Sequence, residues 1–195
     1  MQNSKHSVPD RIVLIGASTG GPGQIQRIIT ALPKLNGVTI IIAQHMTKGF
    51  IPNFMNRLKQ YTNNGVSMAE NNQDLFSDFI YFCSGDTTII KNNFTLSFSN
   101  KDALENTYNP DINILFHSAV VLMPHIKILS VILTGIGDDG VNGCKALSEH
   151  GGKCITETQQ SAIVDGMTSR ARQHVPNITA LDIKDIIQTI KEFCS

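Results

Sequence analysis

The chain has 195 residues, 41% of them hydrophobic and 16% charged, with equal numbers of acidic and basic groups. That length supports one domain with a proper core, and the absence of a basic excess argues against a nucleic-acid partner. The opening stretch to Asp10 is polar and lacks the apolar core of a secretory signal. The longest apolar runs, 38–43 and 126–133, are far short of the ~20 residues a membrane-spanning helix needs. A cytoplasmic protein is the expectation, and its four cysteines, none in C-x-x-C spacing, are expected to be free thiols.

The β-branched run Arg11-Ile-Val-Leu-Ile-Gly16 predicts a buried strand, and Gly21 to Leu32 a helix ended by Pro33. Val38 to Gln44 predicts a second buried strand and Gly49 to Tyr61 a second helix, with Phe50, Phe54, Met55 and Leu58 on its apolar stripe. Val66–Ala69 and Phe79–Cys83 are short strand candidates. Thr88-Ile-Ile and Phe94-Thr-Leu-Ser-Phe98 flank Lys91-Asn92-Asn93 as a hairpin, and Ser99 to Pro110 reads as a polar loop. A helix at 111–122, an apolar strand at 126–134, a helix at 139–150, a short strand at 153–156 and a last helix at 182–193 with Asp182 as N-cap complete the pattern. This alternation implies one α/β domain over residues 11–195 behind a polar arm at 1–10. Its doubly wound, Rossmann-like sheet would be mainly parallel, with helices on both faces and an antiparallel hairpin at one edge.

In such sheets the working residues lie in loops at the carboxyl ends of strands. Gly16-Ala-Ser18-Thr-Gly20-Gly21 follows the first strand and matches Gly-x-Ser-x-Gly, which lifts a serine hydroxyl out of a tight strand-to-helix turn. Alone, the motif suits a phosphate-binding turn equally well. His45 ends the second strand in Gln44-His45-Met46; a lone histidine is usually structural, but imidazole is the usual base for a serine. Asp138 and Asp139 lie in Thr134-Gly-Ile-Gly-Asp-Asp-Gly140 after the most apolar strand. By themselves they read as caps of the next helix, or as a carboxylate that orients the histidine. All three residue types at strand-to-helix switches on one sheet edge point to a triad. Its order is Ser…His…Asp, unlike the Ser…Asp…His of α/β-hydrolases.

With these motifs, and with Leu115-Phe-His-Ser-Ala119 and Gly166-Met167, residues 11–180 resemble the catalytic domain of the chemotaxis protein-glutamate methylesterases, known as CheB. The resemblance implies hydrolysis of γ-glutamyl methyl esters on the cytoplasmic helices of chemoreceptors, with deamidation of receptor glutamines in some members. It implies Ser18 as nucleophile, His45 as base, Asp139 as orienting carboxylate, and Thr19, Gly20, Ile136 and Gly137 around the substrate and oxyanion. It implies no metal and no cofactor. The sequence departs from the family pattern at Thr47, Ile136, Asn113, Cys83-Ser-Gly85, Thr88 and Thr168, none of them a triad position. Only ten residues precede the first strand, so the chain is read as a monomeric catalytic domain without a receiver domain, either stand-alone or a piece of a longer protein.

Two other readings compete: a nucleotide-binding oxidoreductase and a catalytically impaired receptor-binding module. Against the first, Gln44-His45 stands where a ribose-binding acid would end the second strand, and no Tyr-x-x-x-Lys pair follows Tyr61, Tyr81 or Tyr108. His6, His117, His125, His150 and His174 are expected to take no part in chemistry. Glu157 and Asp165 read as loop or cap residues, Asp165 also as a residue that could line the cleft.

Overall fold

The computed structural model describes residues 7–101 and 108–195. Seven parallel strands form one sheet in the order β3-β4-β2-β1-β7-β8-β9. They are β1 (Arg11–Ala17), β2 (Val38–Gln44), β3 (Gly65–Met68), β4 (Phe79–Phe82), β7 (Lys127–Ile132), β8 (Lys153–Glu157) and β9 (Thr179–Leu181). The hairpin, β5 (Asp86–Lys91) and β6 (Leu96–Lys101), is antiparallel and makes its own two-stranded sheet. It packs its inward side chains Ile89, Leu96 and Phe98 into the core on one face of the main sheet.

The reason for this architecture is legible in β1 and β2. All seven residues of β2 are buried, and in β1 only Arg11 is partly exposed, as expected of strands covered on both faces. Alternate residues feed two cores. Val13, Ile15 and Ala17 meet α1 (Gly21–Ala31), α2 (Ile51–Leu58) and α6 (Ile183–Cys194). Ile12 and Leu14 face the side of α3 (Ile112–Ala119), α4 (Val141–Glu149) and α5 (Met167–His174). No helix among the described residues is long and apolar enough to cross a membrane.

Several boundaries differ from the sequence reading. The helix expected from Gly49 has a 3-10 turn at Lys48–Phe50, an α-helical body from Ile51, and a second 3-10 turn at Lys59–Tyr61. Ser99–Lys101, read as loop, complete β6; residues 102–107 of that loop lie outside the described residues. The helix expected from Asp139 starts at Val141, leaving Asp139 in the loop. Asp182 holds the N-cap position of α6 but makes no side-chain cap bond; its carboxylate accepts the Thr158 hydroxyl instead. α5 and β9 have no counterpart in the sequence reading. α5 buries only Met167, Thr168 and Ala171 and carries two arginines and a histidine, too little apolar periodicity to announce a helix. β9 has three residues, none of them fully buried.

Strand order reverses at β1, which has β2 on one side and β7 on the other. The registers Ala17↔Gln44 and Gly16↔Ile132 bring the carboxyl ends of β1, β2 and β7 level. The loops bearing Ser18, His45 and Asp139 therefore open at one crevice, where ligands bind in open α/β sheets.

Candidate active site

Ser18 is the first residue past β1. Its N–H donates to the Thr134 carbonyl at 3.0 Å, and its carbonyl accepts the Gly21 N–H and the Gln44 Nε2, each at 2.9 Å. Gly20, at φ +85°, turns the chain from strand into α1; a Cβ there would lie 2.8 Å from Ile163 and in a backbone conformation side chains avoid. Thr19 is exposed between them.

His45 is tied back to β1 by its N–H on the Ala17 carbonyl at 2.8 Å. Its side chain is 12% exposed, and Nε2 lies 2.7 Å from Asp139 Oδ2. The Tyr108 ring stacks on the imidazole at 5.0 Å between centroids and 13° between planes. Burial, and then the charge of Asp138, push the Tyr108 phenol above its ordinary range, so it stays a neutral donor, and its hydroxyl sits 3.3 Å from Asp138 Oδ1.

Asp139 is fully buried, and its surroundings explain how a carboxylate is tolerated there. Oδ2 accepts the Ile112 N–H at 2.8 Å besides meeting His45; Oδ1 accepts the Asn113 N–H at 3.0 Å and the Gly140 N–H at 2.8 Å. Two of those donors are the first-turn amides of α3, so a residue from a distant loop supplies the negative charge that a helix N-terminus favours. The sequence alternative, a cap for the following helix, has the wrong helix: Asp139 serves α3, and Gly140 is the N-cap of α4. Asp138 is exposed.

Ser18, His45, Met46, Thr47, Tyr108, Asn109 and Ile136 line one open cleft. Among the described residues no hydrogen bond joins the Ser18 and His45 side chains; such contacts are often long before substrate binds and tighten afterwards. Ile136 is 62% exposed at the cleft rim, and Gly137 lies half-buried beside the Tyr108 hydroxyl. Neither residue's N–H, nor that of Thr19, makes a backbone hydrogen bond among the described residues.

Two residues missed by sequence reasoning hold this arrangement. Tyr108 gave no signal, lying in a polar loop. Glu157 is not a loop or cap residue: it ends β8, fully buried. Its Oε2 accepts the Thr134 N–H at 2.8 Å, and its Oε1 accepts Gln24 Nε2 at 2.8 Å and the Ser161 hydroxyl at 3.0 Å. Thr134 in turn holds Ser18 through its carbonyl and Thr19 through its hydroxyl, at 2.9 Å. An acid at the end of an apolar strand was the available signal. Burial raises the Glu157 pKa above the ordinary carboxylate range. Asp165 does not line the cleft; Arg172 Nη2 lies 2.7 Å from each of its oxygens and Thr168 donates to it at 2.6 Å.

The departures from the family pattern sort by position. Thr47 and Ile136 line the cleft. Asn113, Thr88 and Thr168 spend their side chains on Gly143 N–H, the Ser99 carbonyl and Asp165 respectively. His117, His125, His150 and His174 are exposed, away from the cleft. All four cysteines are buried and free, and burial pushes the Cys83 thiol up to about 12. No group of three His, Cys, Asp or Glu among the described residues could hold a metal ion.

The family model for the CheB methylesterase matches residues 13–190. The chain belongs to the CheB methylesterase family. The protein-glutamate methylesterase/protein-glutamine glutaminase of Bacillus licheniformis is 34% identical over 181 residues, which are 90% of this chain and 49% of that protein. Its counterpart numbered 1 in Saccharophagus degradans is 36% identical over 159 residues, 80% of this chain and 43% of that one. The chain thus spans about half the length of the curated relatives it matches. The crystal structure of the Thermotoga maritima CheB methylesterase catalytic domain superposes with a TM-score of 0.86 at 28% identity, covering 95% of this chain and 99% of that one. The seven-stranded parallel sheet with its separate hairpin is the fold of that catalytic domain.

Proposed function

We propose that this CheB-family chain is a serine hydrolase that removes methyl groups from γ-glutamyl methyl esters on the cytoplasmic helices of chemoreceptors, and deamidates receptor glutamines by the same route. The observation that carries the reading is the buried Asp139 carboxylate 2.7 Å from His45 Nε2, with Ser18 lining the same cleft. Family membership and the names of the relatives support the choice of ester.

With Nε2 engaged by Asp139, His45 Nδ1 is left to take the Ser18 proton as Oγ attacks the ester carbonyl. Asp139 faces the imidazolium and stabilises it, a role its three backbone donors favour. The carbonyl oxygen gains negative charge, and the unoccupied amides of Thr19, Ile136 and Gly137 are the candidate donors; one such donor typically supplies about 3–4 kcal/mol. His45 returns the proton to the methoxy oxygen, the bond to Ser18 holds the acyl group, and methanol leaves. Water deprotonated by His45 then attacks the acyl carbon, the bond to Ser18 breaks as His45 returns the proton to Oγ, and the glutamate carboxylate is freed. With a glutamine, ammonia leaves instead.

The test pairs two measurements on the purified chain: methanol release from methylated receptor membranes, and labelling by a serine-directed phosphonate. Wild type should do both and Ser18→Ala neither. A chain that binds receptor but neither labels nor releases methanol would be the impaired binding module instead.

A further inference from the structure

Large apolar side chains scattered singly over a surface need no explanation, but a cluster beside a reactive centre does. Eight large hydrophobic residues are exposed among the described residues, and three of them, Phe50 at 65%, Ile136 at 62% and Ile163 at 64%, stand around one crevice. Ile136 lines the cleft with Ser18 and His45, and Ile163 covers Gly20, two residues from Ser18. Phe50 lies on the other side, in a shallow depression with Pro22, Met46, Asn53, Phe54 and Arg57. Met46 lines both the depression and the cleft, so the two adjoin. Phe54 forms the floor, fixed edge-on against Phe82, and the Arg57 guanidinium lies 5.5 Å over its ring at the margin.

A methyl ester alone needs only the cleft. Apolar surface on both sides of the serine, ending in a cation, matches a larger substrate that is apolar on either side of the reacting group and acidic beside it. Residues three or four apart on a helix share one face with Cβ atoms about 5–6 Å apart, and helix-in-groove recognition uses such anchors. Resting on the function proposed above, we propose that the depression under Phe50 is a docking subsite for an amphipathic helix of the protein substrate. It receives an apolar side chain about one turn from the glutamyl ester, while Arg57 meets an acidic residue on the same helix.

The experiment compares Phe50→Ser, Phe50→Glu and Arg57→Glu with wild type on two substrates: methylated receptor membranes, read by methanol release, and p-nitrophenyl acetate. Expected for the Phe50 variants is a fall of about tenfold or more in kcat/KM on receptor relative to that on p-nitrophenyl acetate, carried by KM. Arg57→Glu should raise KM on receptor several-fold, and more at low salt than at high. Phe94→Ser, in the 91%-exposed hairpin turn, is the control that should alter neither reaction. An unchanged ratio in Phe50→Glu overturns the proposal, and so does an equal loss on both substrates, which would make Phe50 a support of the cleft. A wild-type chain that cleaves p-nitrophenyl acetate but releases no methanol from receptor removes the proposed function itself, an outcome read without any variant.

Discussion

Asp139 makes two kinds of contact: its Oδ2 meets His45 Nε2, and its carboxylate satisfies the first turn of α3. Asp139→Asn would present an amide nitrogen to at least one group that now meets an oxygen. It should lower kcat by roughly 10³–10⁴ through the histidine tautomer, and lower stability by about 1–3 kcal/mol through an unpaired donor. Asp138→Asn, which keeps an oxygen to accept the Tyr108 hydroxyl, should do far less to either; steady-state kinetics and denaturant melts on both variants check this, and greater sensitivity at Asp138 would refute the proposed triad. Glu157 makes a pH prediction. Its folded pKa is raised by burial above an unfolded value near 4.5. An acid raised in this way contributes stability that is fully present below the unfolded value and lost as pH rises through the folded value. Glu157→Gln has no proton to lose, so its Tm relative to wild type should climb as pH rises above 4.5 and level off once pH has passed the folded value. Asp86 and Asp111, whose pKa values are also raised by burial, are common to both proteins and cancel in the difference. Thermal melts at stepped pH give the curve, and a flat or falling difference counts against a desolvated Glu157.

At the scale of elements, the turn after β1, the loop after β7 and the start of α5 meet at Gly135. A Cβ on Gly135 would come 2.4 Å from Met167 Sδ and 2.6 Å from Ser18 Cβ, closer than real side chains approach. The methionine is flexible and can yield, but the serine is held by Thr134 and Gln44 and can only be displaced. Gly135→Ala should therefore lower both Tm and methanol release, the latter by about tenfold or more, since small misplacements of reacting groups cost rate steeply. Adding Met167→Ala should return part of the Tm and little of the activity. Full recovery of activity in the double variant would show that the clash lies with Met167 alone.

At the scale of the whole molecule, the seven parallel strands put one residue of each proposed role at the carboxyl edge, and the proposed mechanism draws its acid–base and oxyanion groups from those loops. Methanol release should accordingly survive EDTA unchanged; loss that zinc restores would defeat the serine mechanism. Much of this was legible in the order of residues. The β-branched runs of β1, β2 and β7 specify buried parallel strands, because only strands covered on both faces can be apolar without alternation. Ser18 and His45 stand just beyond β1 and β2, and Asp139 lies in the loop between β7 and α4, so local pattern alone put them at strand-to-helix switches. Periodicity could not announce α5 or β9, whose apolar contacts are few and whose existence depends on docking to the finished sheet. Nor could it assign Glu157 or Tyr108, because a side chain's partner is chosen by which loops the strand order brings together. Thr134 and Glu157 are 23 residues apart, and His45 and Asp139 are 94 apart. Sequence by itself determined which segments fold and where reactive groups could stand, through local sterics and burial. Which carboxylate faces the histidine, and which one braces the serine turn, was decided only by the tertiary packing of β1 between β2 and β7.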